Sequence, residues 1–172
     1  MLTKGYIQVY TGNGKGKTTA ALGLALRSLC AGFKVYIGQF MKGQDYSELS
    51  AMKYFENLQM VQYGDVHFVH GEPSKEDIAL ARNGLVQISE ALISGVYDVV
   101  IFDEINTAVY FKAVSEADVM EVLNKRPEHV EVILTGRYAP EGFIKMADLV
   151  TEMKEIKHYY NAGVASRKGI EN

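Results

Sequence analysis

Residues 11–19 read TGNGKGKTT and follow directly on the apolar run Tyr6–Tyr10. Glycines at 12, 14 and 16 let backbone N–H groups turn inward around an oxyanion without Cβ clashes. Lys17 adds a point positive charge, and Thr18, with Thr19 behind it, offers a hydroxyl where a magnesium ion bridging two phosphates would sit. The helical run Ala20–Leu26 aims its positive end at the same anion. These residues make a phosphate-binding loop. Its spacing departs from the common form, which places glycine where this chain has Thr11. A β-branched residue there keeps the chain extended and implies a tighter loop. The alternating glycines do not fit the dinucleotide fingerprint G-x-G-x-x-G.

A second set of polar residues ends the apolar run Tyr97–Phe102 at Asp103-Glu104. Ligands of parallel α/β sheets gather at the carboxyl ends of strands, so either acid could reach a cation held by Thr18, directly or through water. Spacing does not decide between them. Thr135-Gly136-Arg137 closes another apolar run, and Arg137 there could clamp a phosphate bidentately. Lys157 and His158 could add polar groups to the site, although His158 fits a structural role equally well. His67 and His70 lack a third ligand at a telling spacing, so no zinc site is expected. On these residues alone, a kinase or ATPase acting on a γ-phosphate remains a reading beside other nucleotide chemistry.

Positioning these residues requires a particular scaffold. Apolar runs alternate with helical patterns, which predicts an α/β fold with a mostly parallel sheet and helices on both faces. Strands are expected over 5–11, 34–40, 58–62, 97–102, 130–135 and 149–153. Helices are expected over 17–31, from the loop after Met41 to Phe55, from Ser74 to Ser94, from Ser115 to near Arg126, and from Pro140 to Met146. Ser74 with Asp77, and Ser115 with Asp118, have the spacing of helix caps. The run Tyr97–Phe102 is continuous, as for a central strand buried on both faces. No repeat or linker interrupts the chain, so residues 1–172 are expected to form one domain.

Composition narrows the partners. The 172 residues are 48% hydrophobic and 23% charged, with a net charge of −3. That balance does not advertise nucleic acid or an anionic membrane. Arg167-Lys168 is the only small basic cluster near an end. Cys30 is alone, which rules out an internal disulfide, fits a reducing compartment and predicts a buried thiol. No apolar run reaches the roughly 20 residues that span a bilayer. Met1–Lys4 leads straight into the first strand with no secretory leader, and a cytoplasmic protein is expected.

The stretches TGNGKGKTTAALGLALR, VYIGQFMKG, VVIFDEIN, Arg126-Pro127, ILTGR, ADLVTEM and IKHYYNAGVASRKGIE together resemble the P-loop ATP:corrinoid (cob(I)alamin) adenosyltransferases, in order and over nearly the whole chain. The resemblance implies a RecA-like fold, a homodimer, and transfer of the 5′-deoxyadenosyl group of ATP to reduced corrinoid cobalt with release of triphosphate. It implies that Gly12, Asn13, Gly14, Lys15, Gly16, Lys17, Thr18 and Thr19, with Arg137, hold ATP, in a sense reversed from other phosphate loops. It further implies Mg²⁺ (or Mn²⁺) on Thr18 and Glu104, with Asp103 the less favoured ligand, and an electron-donor reductase as partner. Family members expel the lower axial ligand of the corrinoid with an aromatic loop. The matching region is Tyr63–His70, with Phe68 as the wedge and Tyr63 second. The chain has no tryptophan there, where relatives often carry one. The N-terminal arm of many relatives is also not matched. A nucleotide-dependent carrier or sensor of corrinoid is the non-catalytic alternative.

Overall fold

The computed structural model describes residues 2–65 and 73–172. Within them the apolar runs form six strands: β1 (Ile7–Thr11), β2 (Val35–Phe40), β3 (Leu58–Tyr63), β4 (Val99–Asp103), β5 (Glu131–Thr135) and β6 (Leu149–Glu152). All pair in parallel, in the order β3-β2-β4-β5-β1-β6. The helices are α1 (Lys17–Cys30), α2 (Lys75–Ile93), α3 (Ile105–Tyr110), α4 (Glu116–Asn124) and α5 (Glu141–Met146).

Alternation along the strands divides the core in two. Val35, Ile37, Val99, Ile101 and Ile133 pack against Ala21, Ala25 and Leu29 of α1. Tyr36, Phe40, Val100, Phe102, Val132 and Leu134 pack with buried residues of α2, α3, α4 and α5. Every residue of β4 is buried, as its unbroken apolar run predicts for a central strand. Because every strand runs the same way, their carboxyl ends, Thr11, Asp103 and Thr135 among them, line up along one rim of the sheet.

Three expectations change. Ser47–Lys53 is a 3₁₀ turn rather than an α-helix, and it presents no fully buried face. A separate short helix, α3, starts immediately after Glu104. Cys30 is exposed, not buried. The buried stripe of α1 is Ala21, Ala25, Ser28 and Leu29, and one further residue turns the side chain about 100° around the helix, off that stripe.

The expected cap of α2 is present as a reciprocal pair: Asp77 N donates to Ser74 Oγ at 3.1 Å and Ser74 N donates to Asp77 Oδ2 at 2.9 Å. Ser74→Ala should therefore lower the unfolding free energy by about 1 kcal/mol in denaturant titration. No change would mean that water replaces the cap at no cost.

Candidate nucleotide site

Thr11 is the last residue of β1, in register with Glu152 of β6. The backbone then turns through Gly12, with φ of 95°, and Gly16, with φ of 123°. These left-handed conformations are open to glycine and strained for other residues. Contact adds a second constraint: a Cβ on Gly12 would lie 2.4 Å from the Met153 carbonyl oxygen. Gly14 N donates to that same oxygen at 2.7 Å. The loop is thus pinned to the end of β6. Lys17 folds back over it, and its Nζ donates to the carbonyls of Gly12 at 2.7 Å and Gly14 at 2.8 Å. Burial holds the Lys17 ammonium below its ordinary pKa.

The acid pair separates into two environments. Asp103, 1% exposed, accepts at Oδ1 from Thr18 Oγ1 (2.9 Å) and Thr135 Oγ1 (2.6 Å). At Oδ2 it accepts from Lys42 Nζ (2.8 Å) and Gln39 Nε2 (3.3 Å). Burial alone would push this carboxyl up; the Lys42 ammonium and the two threonine hydroxyls outweigh burial and hold it below the usual carboxylate range. Glu104 sits at φ 61°, its N–H donating to Thr135 Oγ1 at 3.0 Å and its Oε2 accepting from Thr107 Oγ1. Burial, then the neighbouring Asp103 charge, raises the Glu104 carboxyl. One acid is fully engaged by protein donors, and the other is a partly buried carboxylate facing the cavity with a like charge beside it.

A cavity of about 480 Å³ opens beside them, lined among others by residues 14–19, Lys42, Glu104 and Arg137. Asp103 is not in its wall. The guanidinium of Arg137 makes no hydrogen bond or ion pair among the described residues, while its N–H donates to Thr107 Oγ1 at 3.2 Å. Gly136 precedes it with φ of 130°, packed against Asn106 and Thr107. His158 lines the same cavity and its Nδ1 accepts from Tyr160 N.

The carboxyl-terminal segment closes one side. Lys15 Nζ donates to Tyr159 OH at 2.8 Å, to the Ile170 carbonyl at 3.2 Å and to Glu171 Oε1 at 2.7 Å. Arg167 pairs with Glu171 as well, at 3.0 Å. These donors, Arg167 first, hold the Glu171 carboxyl well below the usual range. Ser47 Oγ donates to the Asn172 carbonyl at 2.9 Å, so residues 169–172 complete the wall.

Gly14, Lys15, Gly16, Lys17, Thr18, Thr19, Glu104, Arg137 and His158 thus meet at one cavity. Gly12 supplies an acceptor for Lys17, and Asn13 is an exposed part of the same turn. Tyr63 is not available as a wedge. It is 3% exposed, its hydroxyl shares a 2.6 Å hydrogen bond with that of Tyr36, and its ring covers Gly84. Phe68, His67 and His70 lie outside the described residues. Lys42, Tyr46, Ser47, Glu48 and the 169–172 segment escaped the sequence reading. The signal for Lys42 and residues 169–171 was that they fall in stretches matching the resembled family.

Could these residues hold a divalent cation? The available donors, the Thr18 hydroxyl and the Glu104 carboxylate, are hard oxygens, and Glu104 lines the cavity with the like charge of Asp103 beside it. Among the described residues no three of His, Cys, Asp or Glu converge to form an all-protein cage. Few protein oxygens, with phosphate and water supplying the rest, is the mode of Mg²⁺ or Mn²⁺ on a nucleotide. The residues fit.

A family model described as ATP:corrinoid adenosyltransferase BtuR/CobO/CobP matches residues 3–172. The chain is 34% identical over 172 residues to the corrinoid adenosyltransferase of a Sinorhizobium species, covering 98% of this chain and 80% of that protein. It is 34% identical over 171 residues to the corrinoid adenosyltransferase of Escherichia coli K12, covering 98% and 86%. Among solved structures, the flagellar accessory protein FlaH of Methanocaldococcus jannaschii aligns with a TM-score of 0.60 at 16% identity, over 88% of this chain and 72% of that one. At that identity the likeness concerns the fold alone, a parallel sheet flanked by helices.

Proposed function

Because this chain belongs to the ATP:corrinoid adenosyltransferases, we propose that its phosphate loop grips ATP by the triphosphate so that C5′ of the ribose faces the corrinoid cobalt. The enzyme is a transferase that moves the 5′-deoxyadenosyl group of ATP to a reduced corrinoid. The cobalt(I) electron pair forms the Co–C5′ bond, and the C5′–O bond breaks with its pair leaving on triphosphate. Cobalt(I) is itself a strong nucleophile, so no general base is required. The protein's work is alignment and charge neutralisation.

In this reading Gly12, Asn13, Gly14, Gly16 and Thr19 shape the cradle, while Lys15, Lys17 and Arg137 supply positive charge to the leaving group. Thr18 and Glu104 hold Mg²⁺ or Mn²⁺, and Asp103 orients the Thr18 hydroxyl. The cation, when bound, supplies further neutralisation of the triphosphate. The observation that supports this reading best is the meeting of Lys17, Thr18, Glu104 and Arg137 at one cavity on the carboxyl edge of the sheet. Incubation with ATP, Mg²⁺ and chemically reduced cobalamin tests it. Adenosylated corrinoid with triphosphate is expected. ADP with orthophosphate would instead make the protein a kinase or ATPase, and binding without turnover would make it a carrier.

The remaining assignments rest on family likeness. Phe68 is the aromatic that displaces the lower axial ligand, so Phe68→Ala should slow the reaction starting from cobalt(II) several-fold more than the reaction from pre-reduced cobalt(I). Equal slowing of both would remove that role. A reductase supplies the electron. The enzyme acts as a cytoplasmic homodimer of one-domain chains, and the exposed apolar side chains Leu149 and Val150 on edge strand β6 and Ile156 beyond it favour a second copy. No helix among the described residues is long and apolar enough to cross a membrane.

A further inference from the structure

Lys42 stands just beyond β2, 61 residues before Asp103, yet its Nζ ends 2.8 Å from that carboxylate. Its backbone is held tightly. Met41 before it takes φ of 57°. A Cβ on Gly64 would lie 2.4 Å from Lys42 N, and one on Gly43 would lie 2.4 Å from the Gly64 carbonyl oxygen. The two loops that follow β2 and β3 therefore close against each other with room only for glycine. Tyr46 flanks the ammonium, its ring centre 5.1 Å from Nζ. A flexible lysine held on both sides in this way acts as a fixed charge.

That charge divides the labour of the two Asp103 oxygens. Oδ2 is occupied by Lys42 and Gln39, and Oδ1 is left to the hydroxyls of Thr18 and Thr135. A hydroxyl that donates its proton to Oδ1 presents its own lone pairs elsewhere. We propose that Lys42 is a positioning residue for the cation–nucleotide complex: by occupying Asp103 Oδ2 it fixes the carboxylate as an acceptor for Thr18 and keeps it from competing with Glu104 for the metal. This inference rests on the cation site described under the proposed function. Without Lys42 a buried carboxylate loses its only ion-pair partner among the described residues, and an incoming divalent cation becomes the substitute. Thr18 then loses its orientation.

The test is equilibrium binding of ATP, measured calorimetrically on the full chain with Mg²⁺ and again in EDTA, so that no turnover enters. Wild type should bind more tightly with Mg²⁺. Lys42→Met should bind in EDTA within a fewfold of wild type, while the gain on adding Mg²⁺ shrinks by about 10–100-fold, the usual cost of losing a partner behind a metal ligand. Lys42→Arg should restore most of the gain. The double variant Lys42→Met/Asp103→Asn leaves no uncompensated buried charge, so it should fold even where the single variant does not. It should show the same reduced gain as Asp103→Asn alone, because the two residues act as one unit. An equal loss of affinity in EDTA and in Mg²⁺ would mean that Lys42 touches phosphate directly, and the inference falls. An undiminished gain in Lys42→Met overturns it too. If wild type shows no gain from Mg²⁺, the cation site itself is wrong and the inference goes with it.

Discussion

Lys17→Ala should lower kcat by about 10²–10³-fold in the adenosylation assay, the scale seen when one preorganised donor to developing charge is removed. The reasoning begins with where the ammonium sits. It lies under the loop, 7% exposed, bonded to two carbonyls of the turn it belongs to. A triphosphate entering the cradle offers charged oxygens in place of neutral ones, and charge-assisted bonds are roughly twice as strong. The gain is largest when the C5′–O bond breaks, because the leaving triphosphate then carries an additional negative charge. The loss should therefore appear in kcat more than in KM. Lys17→Arg should not rescue, since a planar fork cannot occupy the space of a compact ammonium between two carbonyls. Activity within a fewfold of wild type would overturn the placement of phosphate in this loop.

Glu104→Gln should abolish at least about 10²-fold of the activity while leaving the fold as stable as wild type or more so. The two halves of that expectation share one cause. Glu104 is partly desolvated and stands beside the ionised Asp103, and both effects push its carboxyl up. An amide removes the like charge, keeps the acceptor for Thr107, and retains the hydrogen bond from its own N–H to Thr135. What would be lost is the anion proposed to hold the divalent cation. Thermal unfolding paired with turnover checks it. Loss of activity together with marked loss of stability would assign Glu104 a structural role instead.

The parts of this molecule that could be read from sequence are the local ones. Gly-Lys-Thr after an apolar strand announces a tight turn into a helix, Ser74 with Asp77 announces a helix start, and an unbroken run at 97–102 announces a central strand. What escaped depends on strand order. β2 lies beside β4 in the sheet, with Gln39 opposite Asp103, and that adjacency is what brings residue 42 to residue 103. Nothing in either segment alone encodes it. The 3₁₀ turn at 47–53 misled because its apolar residues, Leu49 and Ala51, pack only partly on the sheet. Tyr63 misled because an aromatic at the end of a strand can point into the core as readily as toward a ligand. Its partners here, Tyr36 and Gly84, come from other elements. Cys30 needed only the helix stripe to be counted one residue further.

Leu2 and Asn172 lie at opposite rims of the sheet. Leu2 N donates to Asp98, just ahead of β4, whereas Asn172 is bonded to Ser47 at the mouth of the nucleotide cavity. Anything tethered to this enzyme, whether a purification handle, a surface for immobilisation or a fused partner, belongs at the amino end. Polypeptide appended after Asn172 would start from the wall of the cavity proposed here for ATP.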